Sequence, residues 1–381
     1  MKPIRKLFDK IRPHFEKGGR FEKLYFTFEG FESFAFVPPT VTKKGSHIRD
    51  AIDMKRTMIF VVLALIPTAI FGMWNIGYQH FNALGQDSTV MINFWYGFLK
   101  WLPIQLVVFV TGMTIEFIFT NIRKHEIAEG FVVSAFLIPL ILPPDIPLWM
   151  IAVATAFAVI IGIEAFGGAG MNVLNPALLA RVFLFFAYPA HMSGDKVWIS
   201  GLPDTMSGAT PLGIAASGDI SSLPSAMDRF LGFIPGSIGE TSTLAILIGA
   251  AFLLFTGIAS YRIIIAVFVG GFAMGALFNL WGANDYMMIP AWEQLIMGGF
   301  AFGAVFMATD PVTASQTNTG KWIYGLLVGM FAVLIRVFNP AYPEGIMMAI
   351  LLMNVFAPLI DHYVVQSNIK RRLKRAKVTI Q

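Results

Sequence analysis

Ten predominantly apolar stretches constrain the fold of this 381-residue chain more than any other feature. Crossing about 30 Å of hydrocarbon takes roughly 20 apolar residues in a helix. Only 13% of the residues are charged, against about 25% in soluble domains. We therefore predict an all-α integral membrane protein with about ten transmembrane helices. The stretches lie near 57–78, 101–121, 130–143, 148–166, 173–190, 241–258, 261–282, 295–309, 322–338 and 344–363.

The basic residues are concentrated at the two ends of the chain. Of 28 Lys and Arg, 13 lie in residues 1–56 and six in the last 12 residues. Basic flanks stay on the cytoplasmic side, so both termini are predicted to be cytoplasmic and the number of crossings even. Residues 1–56 form a basic amphipathic arm that lacks a signal-peptide pattern, and 364–381 form a basic tail. Because these tails adjoin apolar spans, no nucleic-acid interface is predicted.

The connector 191–240 carries five acidic and two basic residues, which predicts an external, periplasmic position. It separates a first membrane segment, 57–190, from a second, 241–363. Asp145 and Asp310 are 165 positions apart, and the Asn-Pro-Ala tripeptides at 175–177 and 339–341 are 164 apart. The third stretch of each half is too short to cross as a plain helix. We interpret this as two inverted five-span repeats with broken third helices, although chance coincidence of two short motifs is the alternative.

Placing an ionisable side chain inside an apolar span costs free energy, so each such residue is a functional candidate. Asp310 ends a broken segment, where a carboxylate and freed carbonyls suit Na⁺. The alternative is that Asp310 caps a helix or pairs with Arg336. With no cysteine and six histidines, no Fe–S or zinc site is predicted, so a redox cofactor is organic or belongs to another subunit. The candidates are Glu116, Glu164, Arg181, Asp310, Arg336, Glu344 and Asp361, of which Glu164 and Glu344 lie near span ends.

The connector holds the most specific local pattern, DTMSGAT at 204–210. The small residues Ser207, Gly208 and Ala209 leave the Thr210 hydroxyl unobstructed and let backbone N–H groups approach a phosphate. Asp204 is placed to help a modifying enzyme hold Mg²⁺. A plain turn of small residues is the alternative.

DTMSGAT resembles the D-x-x-[ST]-G-A-T sequence on which a flavin transferase attaches FMN, through a phosphoester, to the final Thr. The rest of the chain resembles the B subunits of the Na⁺-translocating NADH:quinone oxidoreductases, a family related to the D subunit of Rnf-type complexes. The matching blocks, in order, are SHIRDAIDMKR (46–56), RKHEIAEGF (123–131), NVLNPALLARVFLFFAYPA (172–190), IPGSIGE (234–240), GGFAFGAVFMATDPVTAS (298–315), RVFNPAYPEG (336–345) and NIKRRL (368–373).

The resemblance implies a urea-transporter-like fold and a multi-subunit translocase in the bacterial inner membrane. In such a complex, electrons from NADH pass through cofactors on partner subunits to a quinone such as ubiquinone, and this drives Na⁺ export. This chain would carry covalent FMN on Thr210 and a riboflavin held by Asn172 and Asn175. From the residues alone, helix capping by these two amides is favoured over a riboflavin role. No residue of this chain is implied to be catalytic.

The family also implies quinone contacts at Gly112 and Glu116, where Met113 departs from the usual pair of small residues. Glu116, Asp310, Glu344 and Asp361 correspond to acids linked to Na⁺ uptake. Two alternatives remain. One is the D subunit of a ferredoxin:NAD⁺ Rnf-type complex, and the other is a non-redox channel of the urea-transporter type, which two inverted five-span halves also build.

Overall fold

The structure is a computed structural model that describes residues 2–16, 18–36, 42, 44–46, 54–124, 130–201, 207–339 and 344–379. Regular secondary structure within these ranges is entirely helical, as predicted. Short 3₁₀ turns and one π-helical turn, Gly303–Met307, join the α-helices. The α-helices are α1 (Lys2–Ile11), α2 (Tyr25–Ala35), α3 (Met54–Ala83), α4 (Val90–Arg123), α5 (Phe131–Leu140), α6 (Leu148–Gly162), α7 (Pro176–Ala187), α8 (Pro189–Met192), α9 (Pro211–Ser217), α10 (Ala226–Leu231), α11 (Thr243–Phe255), α12 (Tyr261–Trp281), α13 (Glu293–Ile296), α14 (Phe300–Phe302), α15 (Asn318–Phe338) and α16 (Ile346–Thr379).

Six helical segments in the described part of the chain are long and apolar enough to cross a membrane. They comprise α3, α4, α6 with the turn that follows it, α12, α15 and α16. Three shorter apolar helices, α5, α7 and α11, accompany them. Large apolar side chains are exposed along the long helices, as expected of surfaces that face lipid rather than water. The chain is a multi-pass membrane protein.

Both predicted interruptions are present. The helix α5 contains Pro139 and ends at Leu140, and the chain then runs without helix to Pro147. In the second half, the segment ends with the π-helical turn Gly303–Met307, and residues 308–317 contain no helix. A further break, which was not predicted, separates α13 from α14 at Gly298, where φ is 58°. Turns of the π type break the regular backbone ladder, so these segments are not plain spanning helices.

Close packing in the second half depends on small residues. The longest helix contact joins α12 and α15, where a Cβ at Gly329 would lie 2.0 Å from the carbonyl oxygen of Val267. A Cβ at Gly270 would likewise lie 2.2 Å from the carbonyl oxygen of Leu326. Without a hydrophobic driving force between helices in lipid, such backbone approach is a main source of association.

Ion pairs identify the two ends of the helix bundle. Lys100, in the first third of α4, donates to Asp145 at 2.7 Å, and Asp145 contacts the start of the connector. Arg123, at the other end of α4, pairs with Glu164 at 2.8 Å. We call the first the connector end and the second the tail end. The arm packs at the tail end, where Asn121 donates to Thr27 at 2.6 Å.

We expect Gly329→Ala to lower the free energy of unfolding by about 3 kcal/mol or more, because the added methyl meets backbone rather than a movable side chain. Thermal unfolding of the detergent-solubilised protein measures this. Ile323→Ala is the control, since Ile323 lies on the same helix with 42% of its surface exposed. Equal melting midpoints for Gly329→Ala and the wild type would contradict the close α12–α15 packing.

Candidate functional site

Thr210 begins the short helix α9 as its N-cap. Its Oγ1 accepts a hydrogen bond from the backbone N–H of Gly213 at 3.1 Å, and Pro211 occupies the first helical position. Both are common choices where a helix begins. The side chain of Thr210 is half-buried, and the small residues Ser207 and Gly208 precede it without regular structure. Asp204, predicted to assist Mg²⁺ binding, lies outside the described residues.

A cavity of about 350 Å³ opens beside this segment. Its size lies at the lower end of the range of about 300–1,000 Å³ that is typical of ligand pockets. Hydrogen bonds from Ser221 and Ser222 hold the pKa of Asp219 below its ordinary value, so this wall carries a negative charge at neutral pH. The cavity is lined by Asp195, Ser207, Ala209, Gly213, Ile214, Ser217, Asp219 and Ser222.

A second, much smaller cavity of about 20 Å³ touches Thr210 from the protein interior. A space of this size holds roughly one water molecule. Thr210 shares this cavity with Glu240 and Glu344, two carboxylates from distant parts of the chain. The segment that carries the predicted attachment site therefore borders a buried group of charges.

This group is organised by Arg181 of α7. Its guanidinium lies 3.0 Å from Glu240 and 3.3 Å from Glu344. The two side chains of the closer pair are each 3% exposed. Because α7 belongs to the first half and Glu344 precedes the last helix of the second, Arg181 joins the two halves. A pair this deeply buried is costly to break, since either partner alone would be an uncompensated charge.

Arg336 lies alongside this group and is satisfied by backbone carbonyls. It donates to the carbonyl oxygens of Gln294 at 2.6 Å, Met297 at 2.9 Å and Glu344 at 3.1 Å. It thereby ties α15 to the interruption before α14, where helix carbonyls are left without intrahelical partners. The sequence flagged both arginines as ionisable groups within spans. It missed Glu240, which was counted among the acids of the connector, although its place just before an apolar helix was a usable signal.

The structure separates the other predicted acids from this group. Asp310 accepts from the Val312 N–H at 3.1 Å and from Thr313 at 2.9 Å, so it closes its own turn, whereas the N-cap of α15 is Thr317. Asp361 accepts four hydrogen bonds from the turn that precedes α15. The donors are Ser315 Oγ at 2.7 Å, the Gln316 N–H at 2.7 Å, the Thr317 N–H at 3.0 Å and Thr317 Oγ1 at 2.6 Å. Glu344, expected near a span end, instead pairs with Arg181.

Asn172 and Asn175 lie at the tail end, before α7. Asn175 is the N-cap and accepts from the backbone N–H groups of Ala177 at 3.0 Å and Leu178 at 3.3 Å. Asn172 accepts from the Gly170 N–H at 3.3 Å and donates to the Leu174 carbonyl at 3.2 Å. Capping, the alternative to a riboflavin role, therefore describes Asn175, whereas Asn172 shapes the loop before it.

Gly112 and Glu116 occupy one face of α4. A Cβ at Gly112 would lie 1.9 Å from the ring of Phe131, so a larger residue would require that ring to move. Glu116 is buried, and its Oε1 has no hydrogen-bond partner among the described residues. A cavity of about 1850 Å³ lies between the arm and another face of α4. The lining residues contributed by α4 and by the residue after it are Thr114, Phe117, Ile118, Asn121, Ile122 and Lys124. Neither predicted quinone residue is among them.

Arg181→Met should lower the free energy of unfolding by about 3–5 kcal/mol, because Glu240 and Glu344 lose their shared cation. Adding Glu240→Gln should recover part of the loss, since one unpaired charge disappears. Melting midpoints in detergent measure both effects. In the control Arg262→Met, a cation stacked on the ring of Tyr261 is removed, at a cost of about 1 kcal/mol or less. A wild-type midpoint for Arg181→Met would refute the role of this cluster.

Comparison with known proteins identifies the family. The sequence model of the "NQR2, RnfD, RnfE family" matches residues 41–370. The chain is 50% identical to the B subunit of the Na(+)-translocating NADH-quinone reductase of Stutzerimonas stutzeri (strain A1501), over 98% of this chain and 99% of that protein. It is 51% identical to the same subunit of Ectopseudomonas mendocina (strain ymp), with the same coverage. With that identity along nearly its whole length, the chain belongs to the NQR2, RnfD and RnfE family of membrane proteins.

Proposed function

We propose that this chain is the membrane-embedded B subunit of a Na⁺-translocating NADH:quinone reductase and carries FMN on Thr210. Relatives with that name share about half of its residues over nearly the whole length of both chains. The observation that carries the flavin assignment is the segment Ser207–Thr210. It completes the attachment pattern, and Ser207 and Ala209 of this segment line a cavity of about 350 Å³. Partner subunits supply the remaining electron carriers of the complex.

The residues around Thr210 fit a phosphoester-linked flavin. Gly213 keeps the space next to Oγ1 open, since a Cβ there would lie 3.4 Å from that oxygen. Ser207, Ala209 and Ser217 line the cavity with small side chains and hydroxyls. When bound, FMN accepts and passes on electrons, while the protein fixes its place through the covalent bond.

The remaining cofactor assignments follow the family resemblance. Riboflavin is assigned to the tail end near Asn172 and Asn175, where the Asn172 amide lies in a loop rather than in a helix. Quinone is assigned to the region of Gly112 and Glu116, with the large cavity between the arm and α4 nearby. For Na⁺, Glu116, Asp310, Glu344 and Asp361 are proposed to line the path. Glu344 is supported by its position beside the Thr210 cavity.

We further propose ten membrane crossings in two inverted repeats, with both termini cytoplasmic and the connector external. In each half the fourth crossing packs against the second and the fifth: α6 against α4 and α7, and α15 against α12 and α16. The matched interruptions before α6 and α15 support the same arrangement. Basic residues of the arm and of the end of α16 favour the cytoplasmic side for the tail end.

Thr210→Val should abolish covalent flavin when the chain is produced with its flavin transferase, because no hydroxyl remains to form the ester. Thr210→Ser should retain flavin, and Thr241→Val, which removes a hydroxyl from the adjoining small cavity, is the matched control. Fluorescence of the denatured chain in a gel and its intact mass report attachment. The redox assignment is rejected by a wild-type chain without added FMN mass, or by a Thr210→Val chain that still fluoresces.

The absence of native cysteine allows a direct test of sidedness. Ser221→Cys places a thiol on the exposed connector, and Lys374→Cys places one on the exposed end of α16. With a membrane-impermeant maleimide added to intact cells, we expect labelling of Ser221→Cys alone. After the membrane is permeabilised, Lys374→Cys should react as well. Labelling of Lys374→Cys in intact cells would invert the proposed topology.

A further inference from the structure

Asp145, a landmark of the repeat, has partners that its counterpart Asp310 lacks. Its carboxylate accepts from Lys100 Nζ at 2.7 Å, from Ser200 Oγ at 2.9 Å and from the Gly201 N–H at 3.0 Å. Asp310 instead accepts from Val312 and Thr313 of its own turn. The first-half aspartate therefore reaches out of the membrane segment to the connector.

The connector residues that Asp145 holds are also fixed from α3 and α4. His80 Nδ1 donates to the Ser200 carbonyl at 2.6 Å, and its ring stacks on Tyr96 with centroids 4.2 Å apart. Because the Ser200 hydroxyl donates to Asp145, the Tyr96 hydroxyl at 3.1 Å is the donor to Ser200 Oγ. Ser200 is 1% exposed. A charged acceptor thus completes a network that fixes one point of the connector on the helix bundle.

The segment that carries Thr210 rests on the same stretch of connector. The Gly208 N–H donates to the Asp195 carbonyl at 2.8 Å. A Cβ at Gly208 would lie 3.0 Å from that oxygen and 3.0 Å from the Ile199 side chain, so segments 195–199 and 207–210 are in direct contact. Asp195 and Ile199 immediately precede the residues bound by Asp145. Displacing 195–201 would therefore displace 207–210.

We propose that Asp145 is a positioning residue that sets the place of the flavin on Thr210 by anchoring connector residues 195–201. The proposal rests on the proposed function, since it concerns the same attachment site. Electron transfer depends on the distance between carriers, so a connector that drifts carries the flavin away from its partner. The role requires no contact between Asp145 and the flavin itself.

The test uses the assembled complex in membranes and compares wild type, Asp145→Ala and Asp228→Ala. Asp228 is a matched control because it lies on the same connector, and its half-buried side chain bonds only with Ser225 of its own turn in the described structure. Flavin attachment is read by intact mass. The hydrogen-exchange rate of residues 195–201 measures how firmly they are anchored. The rate at which NADH reduces the covalent flavin, followed by stopped flow, reports whether the flavin keeps its position.

We expect the Asp145→Ala chain to keep its FMN. The backbone amide hydrogens of residues 195–201 should exchange on the order of tenfold faster, and NADH should reduce the flavin several-fold more slowly. Asp228→Ala should match the wild type. Asp145→Asn retains acceptors for Ser200 and Gly201 and should fall between the two. If Asp145→Ala does not assemble, Ser200→Ala removes one donor and should change both rates in the same direction.

The outcomes separate the two proposals. A flavinylated Asp145→Ala or Ser200→Ala chain with wild-type exchange and wild-type flavin reduction overturns the positioning role alone. Slower flavin reduction without faster exchange overturns it as well, since anchoring would then not be the cause. A wild-type chain that carries no FMN overturns the proposed function and, with it, this inference.

Discussion

The arrangement of the two halves depends on the ion pairs that one buried cation, Arg181, makes with Glu240 and Glu344. Its guanidinium is held by Glu240, which precedes the second membrane segment, and by Glu344, which precedes its last helix. In a low-dielectric interior these charges are tolerated only together. The sequence distances between them are large, so their meeting fixes how α7, the connector and α16 come together. Thr210 shares a small cavity with the two carboxylates of this group.

The second constraint is the need to satisfy backbone groups where helices are interrupted. The broken segment before α15 leaves carbonyls that Arg336 takes up at Gln294 and Met297. The turn before α15 is closed by Asp361, and the turn after α5 by Asp145 through the connector. Irregular backbone at membrane depth is tolerated where protein groups take up its hydrogen bonds. Of the acids that the resemblance links to ions or quinone, Asp310 and Asp361 are structural acceptors. Glu116 and Glu344 each retain a buried oxygen without a hydrogen-bond partner among the described residues.

Much of the fold was predictable because the length of an apolar segment, and any interruption in it, depends on residues that are adjacent in the sequence. Asp145 and Asp310 mark the ends of the two short stretches, and the six long helices follow from composition. The segment proposed for flavin attachment could be recognised in the sequence because its residues are contiguous. Partners distant in sequence were not: nothing local joins Arg181 to Glu240, or Asp145 to Ser200. Glu344 and Glu164 were predicted only to lie near span ends, yet both pair with arginines, since partner geometry decides how a buried acid is stabilised.

The approach of α12 and α15 through Gly270 and Gly329 has a mechanical consequence. Where backbone meets backbone, no layer of side chains is available to change rotamer and let one helix slide past the other. The pair α12 and α15 therefore forms a rigid unit within the second half. A displacement passed from the connector through Glu240 would be taken up next to that unit, around Gly298 and the π turn, where regular helical hydrogen bonding is interrupted.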